Sequence, residues 1–495
     1  MAAKVHVKWG KSKFEVELNL DDKPTALKST LFKLSGVPPD RQTLMIGGIK
    51  IGDEEWGKAR DKLKPNTTLM MMGSAETLPE APIQQVKFVE DMSENEKAAG
   101  LGLPTGLDNL GNTCYINATL QCLRAVPELR EVLKDYPNSE RGIQISQILA
   151  TRLKHLYGSM DAGAAGIIVK GNFEYILHEA VPHFGERDEK TGSFRQQDAH
   201  ECWSAVVSNL AESLVNRGTV TPVGQSTSFI DRYFSLQLQT KYKCEDSASE
   251  PETQEVEKSY QLSCFISQDV KYLHTGLLKV WFDVCWHGKD ARYSKKSSVS
   301  RLPAYLTIQF VRFFVGKAGD SEEVVPKKIL KDVKFPMKLD VYEMCSTSLQ
   351  EKLLPMRQKF KQVEDQKLIQ KAKEITEGAT LGLRQQHVAE TKVEYEPFSF
   401  PDDPGSSNSG FYELLAVLTH QGRSSSSGHY LGWVRRKNGD WIKLDDDVVS
   451  AVPEEEVLKL SGGGDWHTAY ILLYGPRKLE KLKECSVDSP SSMDI

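Results

Sequence analysis

Three side chains far apart in the sequence, Cys114, His429 and Asp445, are of the types that make a thiol nucleophile, its base and an orienting carboxylate. Cys114 lies in GNTCYINATLQCL (111–123), between a loop-forming Gly-Asn-Thr and a run that places Ile116, Leu120 and Leu123 on one helical face. A thiol attacks as thiolate, a form favoured at the positive end of a helix dipole or beside a base. The other reading of Cys114 is a small buried hydrophobe. His429 and Asp445 lie in SGHYLGWVRRKNGDWIKLDDDVVSAV (427–452), which reads as an alternating strand, an Asn-Gly-Asp turn, a second strand and an acid run. A hairpin over the 16 positions from 429 to 445 brings the carboxylate back to the imidazole. Alone, His429 reads as well as a hydrogen-bonded surface histidine, and the acids as a solvated turn; together with Cys114 they form a triad.

Composition limits what the rest of the chain can be. Its 495 residues exceed one ordinary core and imply two or three units. A net charge of -5, from 63 basic and 68 acidic residues, gives no general field for nucleic acid and no polybasic tail for a membrane surface. No apolar run approaches the ~20 residues of a membrane span. The eight cysteines contain no C-x-x-C pair, so neither a disulfide framework nor a simple four-cysteine zinc site is expected; reduced thiols in a soluble cytoplasmic chain are, with the nucleus left open.

The elements follow from periodicity. Residues 5–9 and 14–18 alternate as a hairpin, TALKSTLFKLSGV places Leu27, Leu31 and Leu34 at helical spacing, and the short runs TLMIGG and TTLMMMG follow. Strand, strand, helix, strand, strand is a β-grasp unit. An acidic, proline-bearing linker comes next. Within the larger part, KYKCEDSASEPETQEVEKSYQL reads as a solvated loop or finger tip, and 349–393 as a long amphipathic helix with Pro355 in its first turn.

GVPPDRQTLMIGGIKI resembles the middle of ubiquitin, and the similarity extends over residues 4–73. GLDNLGNTCYINATLQCL resembles the Cys box of the ubiquitin-specific proteases, the stretch from SGHYLGW to HTAYILLYG resembles their His box, and FRQQDAHECW matches the box between. The whole chain is similar to the proteasome-associated members of that family. The resemblance implies an α+β chain: a ubiquitin-like domain (1–77), a flexible linker (78–103), a papain-like catalytic domain of thumb, palm and fingers (104–480) and a tail (481–495).

The same resemblance implies a cysteine-type deubiquitinase with Cys114 as nucleophile, His429 as base, Asp445 as orienter and Asn109 as side-chain donor to the oxyanion. Gln197, Asp198, Tyr430 and Tyr470 match positions near the substrate tail, although Asp198 could equally be an exposed acid. Leu44, Met45 and Met72 fall near ubiquitin's recognition patch and would dock the chain on the 26S proteasome regulatory particle; core strand residues are the alternative. MMMGS lacks a conjugation tail, so the unit docks and does not modify. Ser424, Ser425, Ser426 and Ser427, in GRSSSSGHY, are expected to form a gating loop, against the alternative of a plain solvated hairpin. No cofactor or metal is expected, since the family's paired fingertip cysteines are missing and Cys244, Cys264 and Cys285 read as ordinary thiols. A monomer when free, acting on ubiquitin and ubiquitinated proteins, is the leading reading. An idle ubiquitin-binding adaptor and a protease for another modifier are the competitors.

Overall fold

A computed structural model describes residues 2–73, 103–137, 144–162, 171–220, 226–246, 250–279, 282–286, 292–317, 324–378, 394–425 and 427–481. All of the linker but its last residue and nearly all of the C-terminal tail lie outside them. The chain divides into two units, Met1–Asp91 and Met92–Ile495.

In the first unit, β1 (Ala2–Trp9) and β2 (Ser12–Asn19) form the expected hairpin, α1 (Pro24–Ser35) follows, and β3 (Thr43–Ile46), β4 (Ile49–Lys50) and β5 (Thr68–Met72) complete a sheet in the order β2-β1-β5-β3-β4. Gly36, at φ 70, stops α1 by donating its N–H to the Phe32 carbonyl. Leu27 and Leu31 enter the core, but Leu34 is half exposed. Strand alternation also corrects the docking patch. Leu44 pairs with Met71, and both side chains are buried, so Leu44 is a core residue and not a recognition residue. Met45 is half-buried, while Met70 and Met72 project outward.

The second unit begins its helical part with α2 (Cys114–Arg124), α3 (Pro127–Lys134), α4 (Ile145–Asp161), α5 (Gly171–Ala180) and α6 (Ala199–Ser213). The one-faced spacing seen in the sequence buries Ile116, Leu120 and Leu123 of α2 completely, each burial contributing roughly 1.5–3 kcal/mol. Next come β6 (Leu236–Cys244) and β7 (Thr253–Ser259), which join β8 (Phe282–Trp286) and β9 (Arg292–Arg301) in a four-stranded sheet of order β8-β9-β6-β7. The interval read as loop or finger tip is therefore mostly paired strand; its alternation was masked because both faces of β7 are solvated and carry polar residues. Cys244 and Cys264 are buried thiols, as expected.

The helix α7 (Thr347–Gly378) is longer at its start than the sequence suggested, and Pro355 lies in its interior. Leu349, Leu353, Phe360 and Val363 hold one face of it down. The last strands are β10 (Phe411–Ser424), β11 (Ser427–Arg435), β12 (Trp441–Asp445), β13 (Val448–Val452) and β14 (Thr468–Pro476). They belong to an eight-stranded sheet in which β14, β10, β11, β12 and β13 are successive neighbours, with β13 at the edge. The helices, this sheet and the four-stranded sheet correspond to the expected thumb, palm and fingers. Among the described residues no helix is long and apolar enough to cross a membrane.

Candidate active site

Cys114 is the first residue of α2, directly after Thr113, so its thiol stands at the helix's positive end. It is also 2 % exposed, which reconciles the two readings: the thiol is buried, but against chemistry and not only against core. The approach to it is a tight loop. Gly111 and Asn112 take left-handed φ values of 99 and 55, and the loop closes around one side-chain oxygen: Asn109 Oδ1 accepts from the N–H groups of Gly111 (3.0 Å) and Thr113 (3.2 Å).

The palm supplies the base. β11 and β12 pair with Gly432 opposite Leu444 and Trp433 opposite Lys443, and this register returns Asp445 to His429. His429 Nε2 donates to Asp445 Oδ1 at 2.8 Å. The Cys114 thiol stands beside the same imidazole, and Asp445 first, Cys114 second, push its pKa up to about 10. Reciprocally, the bond from His429 holds the Asp445 carboxyl below the usual carboxylate range.

Asp446 joins these two elements. At φ 52 it occupies the left-handed corner of the turn between β12 and β13, a conformation that Asp tolerates better than most residues. Its carboxylate accepts from Asn109 Nδ2 at 2.8 Å and from Asn117 Nδ2 at 2.7 Å, and its carbonyl accepts the Leu107 N–H at 2.8 Å. The chains meet so closely that a Cβ on Gly106 would fall 2.4 Å from the Asp447 carbonyl oxygen. The sequence reading placed Asp446 in the acid run without a role and passed over Asn117. Its signal is an asparagine one turn after the cysteine, buried with Thr119 and Gln121 among the helix's apolar residues. His429, Asp445 and Asp446 offer donor atoms within 4.8 Å of one another; Nε2 is bonded to Asp445, and the two Asp446 oxygens accept from Asn109 and Asn117.

The remaining sequence candidates fall differently. Asn109 is beside the nucleophile, but one N–H of its amide is bound by Asp446, so only the second is available to a substrate oxyanion. Asp198 is not an exposed acid. It caps α6 through the His200 N–H (2.7 Å) and receives the Tyr470 hydroxyl on both oxygens (2.8 and 2.9 Å), and burial raises its pKa. Tyr430 and Tyr470 are themselves buried, 6.5 Å apart between ring centres, and support the site from beneath. Gln197 donates to the His183 carbonyl at 2.8 Å and lies nearer the surface.

The serine segment is not a free loop. β10 and β11 continue through it, with Ser424 opposite Ser427 and an irregular register between Gln421 and Ser424; Ser426 lies outside the described residues. Gly422 (φ 128) and Gly428 (φ 117) absorb the irregularity, and a Cβ on Gly428 would collide with the Gln421 carbonyl at 2.0 Å. Four serines carry no strand signal of their own, so pairing imposed by the long β10 won over local freedom. Arg423 ties the hairpin to Asp465 at 2.9 Å.

The ubiquitin carboxyl-terminal hydrolase family model matches residues 105–474, and the ubiquitin family model matches residues 5–76. The chain belongs to the ubiquitin carboxyl-terminal hydrolase family. Ubiquitin carboxyl-terminal hydrolase 6 of Arabidopsis thaliana is 37% identical over 495 residues, covering 96% of this chain and 98% of the relative. Ubiquitin carboxyl-terminal hydrolase 14 of Caenorhabditis elegans is 37% identical over 493 residues (97% and 94%), and ubiquitin carboxyl-terminal hydrolase 6 of Schizosaccharomyces pombe 35% over 492 (96% and 99%). This hydrolase is thus a cysteine-type deubiquitinase with an N-terminal ubiquitin-like domain, and the similarity runs through both units.

Proposed function

We propose that Cys114, His429 and Asp445 carry the reaction, cleaving the bond after ubiquitin's terminal glycine on conjugated proteins and chains. The observation that carries this reading is the single imidazole bonded by Asp445 on Nε2 and adjoined by the Cys114 thiol, which stands at a helix N-terminus. His429 takes the thiol proton, the thiolate adds to the glycine carbonyl carbon, and the C–N bond breaks as His429 returns the proton to the departing lysine amine. Water, deprotonated by the same imidazole, then adds to the thioester carbonyl and expels the thiol. The oxyanion in each step accepts from the free N–H of the Asn109 amide and from the Cys114 backbone N–H. Single-turnover cleavage of a lysine-linked ubiquitin conjugate, quenched in acid, should trap a ubiquitin thioester on the wild-type chain and none on Cys114→Ala. Continued cleavage by Cys114→Ala would overturn the assignment.

Selectivity for the glycine-ended tail is assigned to the surface beside Gln197, which the buried Tyr430 and Tyr470 support from beneath. The ubiquitin-like domain, through Met45, Met72 and the neighbouring exposed Met70, is proposed to dock the enzyme on the proteasome regulatory particle in the cytoplasm or nucleus. Access to the cleft is proposed to be gated by the hairpin around Ser424–Ser427. Its glycine hinges and the exposed Arg423–Asp465 pair, an interaction of the kind worth at most ~1 kcal/mol, support a closed form that is easily displaced.

A further inference from the structure

A cavity of about 570 Å³ lies on the side of the palm sheet opposite α2, directly behind the His429–Asp445 pair. Strand geometry dictates its walls. Alternation along β11 turns His429, Leu431 and Trp433 to one face, and Lys443 and Asp445 of β12 share that face because Lys443 pairs with Trp433. Gly432, on the opposite face, packs toward Ala118 and Cys122 of α2. The outer wall is Trp466, 51% exposed after three consecutive glycines. A Cβ on Gly464 would lie 1.7 Å from its ring, so the glycine is what lets the indole fold back over the cavity.

The cavity has an apolar body and a charged rim. Leu431, Trp433, Leu460 and Trp466 form its body; Lys443 and Lys459 stand at its edge, with His467 and one acid, Asp445, at its inner end. Lys459 has no carboxylate partner among the described residues, and Lys443 reaches Asp445 Oδ2 only at 3.7 Å, beyond hydrogen-bond length. The volume falls within the ~300–1,000 Å³ of small-molecule sites, and two ammonium groups beside two indoles select a flat apolar anion.

We propose that this cavity is a regulatory site for a small aromatic anion, its ring held between Trp433 and Trp466 and its acid group on Lys443 and Lys459. Occupancy acts on the catalytic pair through Lys443. Asp445 faces His429, Lys443 and His467, which lower its pKa, and His429 also faces Cys114 and Asp446; an anion neutralising Lys443 removes one of the positive charges that lower Asp445, so Asp445 holds the His429 proton more firmly. The upper limb of the pH profile then moves to higher pH. The binding claim is independent of the roles assigned to Cys114, His429 and Asp445; the effect on the pH profile rests on them.

The probe is 1-anilinonaphthalene-8-sulfonate, an aromatic anion that fluoresces when desolvated, titrated into the full-length chain. One saturable site is expected, weakened about tenfold, or ~1.4 kcal/mol, by Trp466→Ala and by Lys459→Glu, and unaffected by Cys114→Ala. Trp466 and Lys459 are surface side chains, and circular dichroism of both variants should match the wild type. Binding that neither variant weakens, or no saturable binding, would overturn the site. With probe bound, an upper limb of kcat/KM that rises supports the action through Lys443, and an unmoved limb overturns it. A chain that binds the probe with this variant pattern but cleaves no ubiquitin conjugate would overturn the triad assignment and leave the site standing.

Discussion

Replacing Asp446 by Asn should disable the enzyme while sparing its dyad. Asn tolerates the left-handed φ of 52 and keeps the shape of the side chain, so the turn survives. What it loses is acceptor capacity. The carboxylate takes one N–H from Asn109 (2.8 Å) and one from Asn117 (2.7 Å), and an amide must present its own NH₂ to one of them. Hydrogen bonds to a charged group are worth ~1.5–3 kcal/mol, so losing one and weakening the other costs about 2–4 kcal/mol of loop positioning. If Asn109 must be held in the transition state, kcat/KM on a ubiquitin-tail fluorogenic amide should fall roughly 30- to 1,000-fold. Alkylation of Cys114 by iodoacetamide should change little, because the His429–Asp445 bond at 2.8 Å is untouched. Calorimetric affinity for free ubiquitin should also stay near wild type. A kcat/KM within about threefold of wild type would refute the positioning argument. Thiol reactivity falling in parallel with kcat/KM would mean that Asp446 works through the dyad instead.

Other consequences can be checked by mutation, pH and truncation. The rise of the His429 pKa from 6.5 to about 10 corresponds to ~5 kcal/mol of preference for imidazolium, which solvent screening of two side chains each 35% exposed reduces to roughly 1–2 kcal/mol. A raised pKa means the pairing contributes fully below the ordinary value of 6.5 and is lost as pH climbs through about 10, so the upper limb of kcat/KM should lie at alkaline pH. Asp445→Asn should bring that limb down toward 6.5 and cost less activity at pH 6 than His429→Ala; an unmoved limb would count against the pairing. Gly428→Ala, facing a carbonyl 2.0 Å from its new Cβ and a φ of 117, should displace His429 and lower kcat by about tenfold or more while melting changes by only a few degrees. Deleting residues 2–73 should leave hydrolysis of a ubiquitin-tail amide within about twofold of wild type and sharply reduce co-sedimentation with proteasomes; unchanged co-sedimentation would remove the docking role.

How far the sequence alone could be read follows from which forces act locally. The Cys114 helix, the β11–β12 hairpin and the β-grasp unit each announce themselves through periodicity and turn residues within about a dozen positions. His429 and Asp445 were legible for that reason: the hairpin between them is local, and its register is fixed by the Asn-Gly-Asp turn. Asp446 was not, because its partners Asn109 and Asn117 are 337 and 329 positions away, and only the packed thumb and palm bring them together. Resemblance to a surface patch points to both Leu44 and Met45 and cannot say which of the two is core, because a shift of one residue exchanges core for solvent; burial puts Leu44 in the core. The strand pairing of the serine hairpin is hidden from the sequence for the opposite reason. Its residues favour disorder, but β10 runs beside β14 and carries the segment with it. Pro355 stands inside α7 against its local preference, where Leu353 and Phe360, buried on either side, hold the helix through it.

The most direct test of the triad is covalent. Ubiquitin whose terminal glycine is replaced by a thiol-reactive electrophile should label the full chain once, on the peptide that contains Cys114. Labelling should vanish in Cys114→Ala and slow markedly in His429→Ala. A label on any of the other cysteines, or undiminished labelling of Cys114→Ala, would contradict the assignment of Cys114 as the nucleophile.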